Sequence, residues 1–373
     1  FDIELILNPA DGFICNCGTG FDNFTCHYED VPSTYADGDP SINFYLLPID
    51  LTHDAWIQAV GGQLIAQTGI NSIIPFDGAT AGPCHPDQFC WPALVSWSPG
   101  TSGVVNTPGF VYAGSIINTG NDTSSLIHSP PSIGQQRNQS YLGNARGYDL
   151  FPTQYNYQYF FNRLGHLAQP FSLSTMPAIH SDNNLSVWIY QPANPGDPLV
   201  INETNNWVLN DRQKAVIFVN GDLRIEDSTP NTPDQIIAVP NAQNYLAFIV
   251  SGAIEIAPSV GYSIPSGLPQ AFALPDVVPA NVEGIFLADQ TITVESLNNP
   301  DVADKKFIGA GTFVGWSGVN LERSFSDSGI GQAWHNYNPT ETFIYRPDFL
   351  VNTPLLMKEA VHEWREVAPK IIE

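Results

Sequence analysis

The sequence predicts a mainly β protein: a parallel β-solenoid (β-helix) with a loop-rich, disulfide-containing N-terminal region and a C-terminal capping helix. Three observations carry this expectation. One ten-residue pattern recurs between about residues 205 and 325, as VIFVNGDLRI, AFIVSGAIEI and GIFLADQTIT, with a degenerate copy around Gly311 in FIGAGTFVGW. Glycine and proline, at 30 and 31 residues, make turns abundant. Charged residues are 13% of the 373, about half the usual share, so few long polar helix faces can exist. The chain divides into residues 1–55, a strand followed by Cys-containing loops; 56–204, strand- and loop-rich, where the first rungs and their insertions are placed; and 205–373, the repeats and a terminal helix.

Taken in order, FDIELIL places Phe1, Ile3, Leu5 and Leu7 on one face against Asp2, Glu4 and Ile6, the period of a strand. Asn8-Pro9 ends it. Residues 8–40 read as loops, with Asp37 and Asp39 in YADGDP the one place where Ca²⁺ is considered, although the loop lacks a terminal bidentate Glu. No other cofactor is expected. WIQAVGGQLIAQTGINSIIP, from Trp56, alternates β-branched clusters with glycines, as short strands with tight corners do. Residues 98–150 are dense in Ser, Thr, Asn, Gly and Pro and read as long loops or wide turns. YDLFPTQYNYQYFFNRLGHL (148–167) predicts a helix after Pro152, with Tyr155, Tyr159 and Leu164 near one face.

In the repeats, Gly221, Gly252 and Asp289 are expected to be equivalent, 31 and 37 residues apart. Units of this kind cannot bury their apolar faces alone and must stack. Leu223 with Ile225, and Ile254 with Ile256, should point inward, while Asp222, Arg224 and Glu255 face solvent. Thr353-Pro354 signals a helix start, and LLMKEAVHEWREV places Leu356, Ala360 and Trp364 on one face before Pro369. That helix is expected to cap the open end of the solenoid.

The net charge of −24 repels phosphate backbones and anionic lipid, which argues against nucleic-acid and membrane-surface partners. No apolar run reaches the ~18 residues that a spanning helix needs, so no membrane insertion of this chain is expected. Cys15, Cys17, Cys26, Cys84 and Cys90 cluster in the first quarter without zinc-ligand spacing and are disulfide candidates. Sequons at Asn23, Asn121, Asn138, Asn184 and Asn202 are glycosylation candidates. With only five lysines, these features point to an extracellular or cell-surface location. The opening at Phe1 rather than Met fits prior removal of a leader or anchor.

Candidate chemistry is sparse. His335 lies near Tyr337 and Glu341, but a packing role outweighs an acid–base one. His128, His166, His180 and His362 are dispersed and match no hydrolase motif. Asp222, Glu255 and Asp289 are the carboxylates on the rungs, and Trp91, Trp97 and Trp316 are the aromatics available for sugar stacking. Catalytic residues and bound metal are not expected.

As a set, WIQAVGGQLIAQTGINSIIP, KAVIFVNGDLRI, YLAFIVSGAIEI and ETFIYRPDFLVNTPLLMKEAVHEWREVAP resemble uncharacterised bacterial cell-surface proteins with a pilin-like or membrane anchor upstream of a β-solenoid body. The similarity covers about 56–97 and 205–369. It implies surface display and carries no catalytic residues. Here the chain starts at Phe1 with no hydrophobic helix.

The functional expectation is an extracellular structural or adhesive protein. It would be a subunit of a filament, sheath or surface layer, self-associating into a homopolymer by strand addition through Phe1, Ile3, Leu5 and Leu7. The alternative is a polysaccharide-binding or polysaccharide-cleaving β-helix, marked by two carboxylates within ~5–10 Å or by bound Ca²⁺.

Overall fold

The computed structural model describes residues 155–229, 235–263, 279–299, 302–325 and 340–358 throughout, together with Gly62 and eleven earlier strands. Those strands are β1 (Ile3–Ile6), β2 (Phe13–Cys15), β3 (Thr25–Tyr28), β4 (Leu46–Pro48), β5 (Ile57–Val60), β6 (Leu64–Ala66), β7 (Ile70–Asn71), β8 (Val95–Ser96), β9 (Val111–Ala113), β10 (Ile117–Asn118) and β11 (Leu142–Asn144). Helix α1 (Tyr157–Leu164) follows, then β12 (Gln169–Phe171), β13 (Leu185–Tyr190), β14 (Leu199–Ile201), β15 (Trp207–Val208), β16 (Lys214–Val219), β17 (Leu223–Ile225) and β18 (Ile237–Ala238). The remaining strands are β19 (Tyr245–Val250), β20 (Ile254–Ile256), β21 (Val282–Ala288), β22 (Thr291–Val294), β23 (Phe307–Gly315), β24 (Gly318–Leu321) and β25 (Glu341–Ile344). The protein is mainly β, as expected.

From β13 to β24 the chain passes back and forth between two parallel sheets, with β15 and β18 forming a short branch of the longer one. β13, β16, β19, β21 and β23 are neighbours in the longer one; β14, β17, β20, β22 and β24, which follow them in the chain, make up the five-stranded one. Leu185 pairs with Lys214, Lys214 with Tyr245, Ala247 with Ile285 and Ile285 with Thr312, so one pass takes 29, 31, 38 and 27 residues in turn. The longer sheet continues through β25 to β5 and β8, so strands from the first hundred residues extend it beyond its last C-terminal strand. Both sheets begin before residue 205, at β12 and β14.

The two sheets read differently in the sequence because their faces are covered differently. A parallel sheet buried on both faces uses continuous apolar runs, and KAVIFV and YLAFIV in β16 and β19 are buried at nearly every position. On one face, Phe218 lies under Tyr157 and Phe161 of α1, with ring centroids 5.5 and 5.4 Å away. On the other, Phe248, Phe286 and Phe313 sit opposite one another in register and stack at 5.4 and 5.0 Å, their planes 6° and 14° apart. In the five-stranded sheet alternate residues are buried. Leu199, Leu223, Ile254 and Ile292, and Ile201, Ile225, Ile256 and Val294, form its inner rows, each at most 1% exposed. The inward assignment of Leu223, Ile225, Ile254 and Ile256 holds.

The repeat alignment needs one correction. Asp289 is not equivalent to Gly252: Val250 pairs with Ala288 and Ile254 with Ile292, which places Asp289 opposite Ser251 and Gln290 opposite Gly252. The slip keeps small Ala288 and apolar Ile292 inside, and burial on one face fixes register more strongly than turn residues do. Gly311 likewise aligns with Gly284, not with Gly252.

Helix α1 forms where aromatic spacing predicted it, but begins at Tyr157. Asn156 caps it, its side-chain oxygen accepting the Tyr159 N–H at 3.0 Å. Leu164 is fully buried, and Tyr155 stays outside the helix, edge-on to Tyr159 at 4.9 Å.

The expected helix from Thr353 is not formed over the described residues. Instead, a helix at Pro347–Asn352 ends at Thr353, Leu355–Met357 makes a 3₁₀ turn, and Lys358 is extended. Pro347 begins the helix about two turns earlier than the capping signal suggested. This segment does not cap an end rung: Phe349 packs on Tyr245 at 6.3 Å, and Arg163 Nη2 of α1 donates to the Lys358 carbonyl at 2.8 Å, which puts it beside α1 on the longer sheet. Residues 359–373 lie outside the described residues.

β1 pairs antiparallel with β3 of its own chain, Ile3 opposite Tyr28 and Ile6 opposite Thr25. Cys15 and Cys26 fall in β2 and β3, and the thiols of all five cysteines lie outside the described residues.

Candidate functional site

Two polar constellations stand out, one on the open face of the five-stranded sheet and one buried at a corner. The open face carries a register row, Val200, Arg224, Glu255, Thr293 and Asn320. Arg224 organises it. Its Nη1 donates to Glu255 Oε2 at 2.7 Å and to Glu295 Oε1 at 3.3 Å, its Nη2 to Glu295 Oε2 at 3.1 Å, and its Nε lies 3.7 Å from Glu226 Oε2. These bonds, Glu295 foremost, hold the guanidinium's pKa above its ordinary value against the opposing effect of partial burial.

Because one Nη1 reaches both carboxylates, Glu255 Oε2 and Glu295 Oε1 lie within about 6 Å of each other, the separation seen between the two carboxyl groups of glycoside hydrolases. The guanidinium, however, occupies the space where hydrolysis would need the scissile bond. The other two rung carboxylates do structural tasks. Asp222 Oδ1 accepts the Ala253 N–H of the next pass at 2.8 Å. Asp289 Oδ1 accepts the first N–H of α1, from Tyr157, at 2.7 Å, and partial burial raises its pKa.

The buried constellation lies where the chain leaves the five-stranded sheet to return to the longer one. Arg323, 2% exposed, donates from Nη1 to the carbonyls of Val260 (2.5 Å) and Lys305 (2.8 Å) and from Nη2 to that of Ala257 (2.8 Å). One side chain therefore ties the segment after β20 to the one before β23. Burial lowers its pKa to about 10, although Glu341, Asp304 and Glu295 pull the other way.

Glu341, the first residue of β25, is 1% exposed. Its Oε1 accepts the Arg323 backbone N–H at 3.0 Å and its Oε2 the Thr340 hydroxyl at 2.8 Å. Burial pushes its pKa up to about 7 despite those bonds. Asp304, also 1% exposed, accepts the N–H groups of Leu297 (2.7 Å) and Ser324 (2.8 Å). Lys305 Nζ pairs with Asp227 at 3.1 Å.

Among the sequence-predicted residues, Glu341 is thus a buried corner group. His335 and Tyr337, its expected neighbours, lie outside the described residues, as do Asp37, Asp39, His128, His362, Trp91, Trp97, Asn23, Asn121 and Asn138. Trp316 packs against the core, its Nε1 donating to the Tyr155 carbonyl at 3.3 Å. Asn184 is exposed; Asn202 is partly buried and caps a 3₁₀ turn through a reciprocal pair of bonds with Asn205. Among the described residues no group of three His, Cys, Asp or Glu could hold a metal ion, and no helix is long and apolar enough to cross a membrane.

Sequence reasoning missed Arg323 and Asp304. The groups they bind come from distant parts of the chain, and no local motif joins them. No protein-family model, curated protein or solved structure matches this chain.

Proposed function

We propose that the chain is an extracellular structural or adhesive surface protein whose body is a parallel β-solenoid and which associates with copies of itself in a filament, sheath or surface layer. The observation that carries this reading is the continuous register of the two parallel sheets, in which each pass covers its apolar side chains with the next. The net charge of −24, the sequons and the resemblance to surface proteins support the location.

Strand addition by residues 1–7 loses its best support, because Ile3–Ile6 is already paired with Thr25–Tyr28. A different edge suits assembly. β23 pairs with β25 only through Phe307–Ala310, and β24 pairs with β22 on one side, so Gly311–Leu321 has no ladder partner on its other side among the described strands. Phe313, Val314 and Leu321 are half-buried there, whereas their counterparts Phe286, Leu287 and Val294 are buried. Unpaired edges of this kind are templates for another chain. At the opposite end, β12 carries Pro170, which lacks the N–H that a further strand would use.

Electron microscopy and sedimentation of the purified chain test the reading. Filaments or large oligomers are expected, with Val319→Pro, which blocks the open edge, shifting the material to monomer while thermal stability stays within a few degrees. Monomer at every concentration for the unaltered chain would contradict self-association; assembly undisturbed by Val319→Pro would move it to another surface.

A second reading, polysaccharide binding, is favoured by the polar row Arg224, Glu255, Thr293 and Asn320, whose strands repeat every ~4.8 Å along an open face. Incubation with acidic and neutral polysaccharides distinguishes retention without cleavage from the appearance of new reducing ends.

A further inference from the structure

β25 is the joint that ties the C-terminal strands of the longer sheet to those from the first hundred residues. Its four residues pair on one side with Phe307–Ala310 and on the other with Ile57–Val60, so β5 and β8 reach the sheet through it. The joint begins with a buried carboxylate, Glu341, opposite Phe307 on one strand and Ile57 on the other. Such a group is expected to be matched by a cation, yet its carboxylate forms no ion pair among the described residues. The nearby guanidinium of Arg323 acts on it through space, its two Nη atoms being committed to three carbonyls.

The charged groups around Glu341 come from several segments. After β24 there is Arg323; before β23 there are Asp304, Lys305 and Lys306; after β22 there is Glu295. Lys305 is held by Asp227. The segment after β20 contributes only carbonyls to the Arg323 clamp, and β5 places the uncharged Ile57 and Gln58 opposite β25. A second buried carboxylate, Asp304, therefore acts on the same guanidinium and on Glu341 itself, raising the cost of a second negative charge in the corner.

We propose that Glu341 is a proton-operated latch: protonated, it lets β25 stay paired with β23 and β5; ionised, it leaves a charge in the corner without an ion-pair partner among the described residues and loosens this joint before the rest of the sheet. The proton departs to solvent, and the Thr340 hydroxyl, which accepts from the acid while the proton is bound, donates to the carboxylate once it has left. The direction follows from linkage. The group's folded value, about 7, lies above its ordinary value of 4.5, so its contribution to stability is full below about pH 4.5 and is lost as pH rises through about 7. β25 responds first because a four-residue strand has few ladder bonds to hold it.

The test is amide hydrogen exchange on the full chain between about pH 5.5 and 8.5, corrected for intrinsic exchange rates. Protection at Glu341–Ile344 and Ile57–Val60 is expected to fall on the order of 10–100-fold across neutrality, while Tyr245–Val250 changes little. Glu341→Gln, a permanently neutral mimic, should flatten the dependence at the joint. Should that variant not fold, Asp304→Asn serves instead: removing the second anion should move the midpoint to lower pH. A flat profile in the unaltered chain, an equal slope in Glu341→Gln, or an unmoved midpoint in Asp304→Asn would overturn the latch.

Discussion

At Gly221 and Gly252 the chain turns one way and at Arg323 it turns back, and it makes these corners by opposite means. From the longer sheet into the five-stranded one it uses glycine. Gly221 has φ +137°, and at Gly252 a Cβ would run into Asp222 Oδ1 and lie 2.7 Å from the Gly221 carbonyl oxygen, so close backbone approach between passes excludes a side chain. On the way back it uses buried charge: the Arg323 guanidinium donates to the carbonyls of Val260 and Lys305 and to that of Ala257, which also accepts the Val260 N–H. A glycine corner needs only space, so substitutions there act locally. A charged corner is a network, so removing one member strands the others.

That difference orders the expected effects. Arg323→Met should be the most severe change, destabilising by about 3–5 kcal/mol in chemical denaturation because buried carbonyls lose their donor and the Glu341 and Asp304 carboxylates lose a nearby positive charge they do not bond. A loss below about 1 kcal/mol would mean that the corner does not depend on the guanidinium. Phe286→Ala, at the centre of the aromatic stack between Phe248 and Phe313, should cost about 3–5 kcal/mol with both corners left chemically intact. It calibrates what ordinary packing contributes.

Gly252→Ala should cost about 1–3 kcal/mol, with Asp222→Ala recovering part of the loss by vacating the space the new methyl needs. Absence of any recovery would show that the backbone contact dominates. Smallest of all, Arg224→Ala on the open face should change stability by at most about 1 kcal/mol, because solvent screens its bonds to Glu255 and Glu295. A large loss there would mean that the open face is covered in the native assembly.

The same contrast explains what the sequence revealed. Glycine corners and inward pairs such as Leu223 with Ile225 are local features with a fixed spacing, so the repeats were legible. So was α1, whose aromatic positions recur at helical spacing after a proline. The register of the third repeat was not, because Asp289 resembles a turn residue at the glycine position while burial of Ala288 and Ile292 decides the pairing. Asp289 instead accepts the first N–H of α1, whose residue is 132 positions away, a partnership that no spacing rule reports. Arg323 and Asp304 were illegible for the same reason: their partners meet only once the chain has folded, and Glu341 was legible only as a neighbour of His335, not as a buried corner group. The end of the chain misled in another way. Thr353-Pro354 has the residues of a helix start, but Pro347 starts a helix first and Thr353 closes it, its hydroxyl donating to the Phe349 carbonyl at 2.8 Å.

Both corners matter only if the passes lie on one another in register. Spin labels at Val200 and Asn320 occupy the two ends of one outward row, separated by Arg224, Glu255 and Thr293. Four strand spacings give a backbone separation of ~19 Å, and a single narrow distance distribution near that value is the expected result. A broad distribution, or one centred far beyond it, would show that these strands do not stack as described.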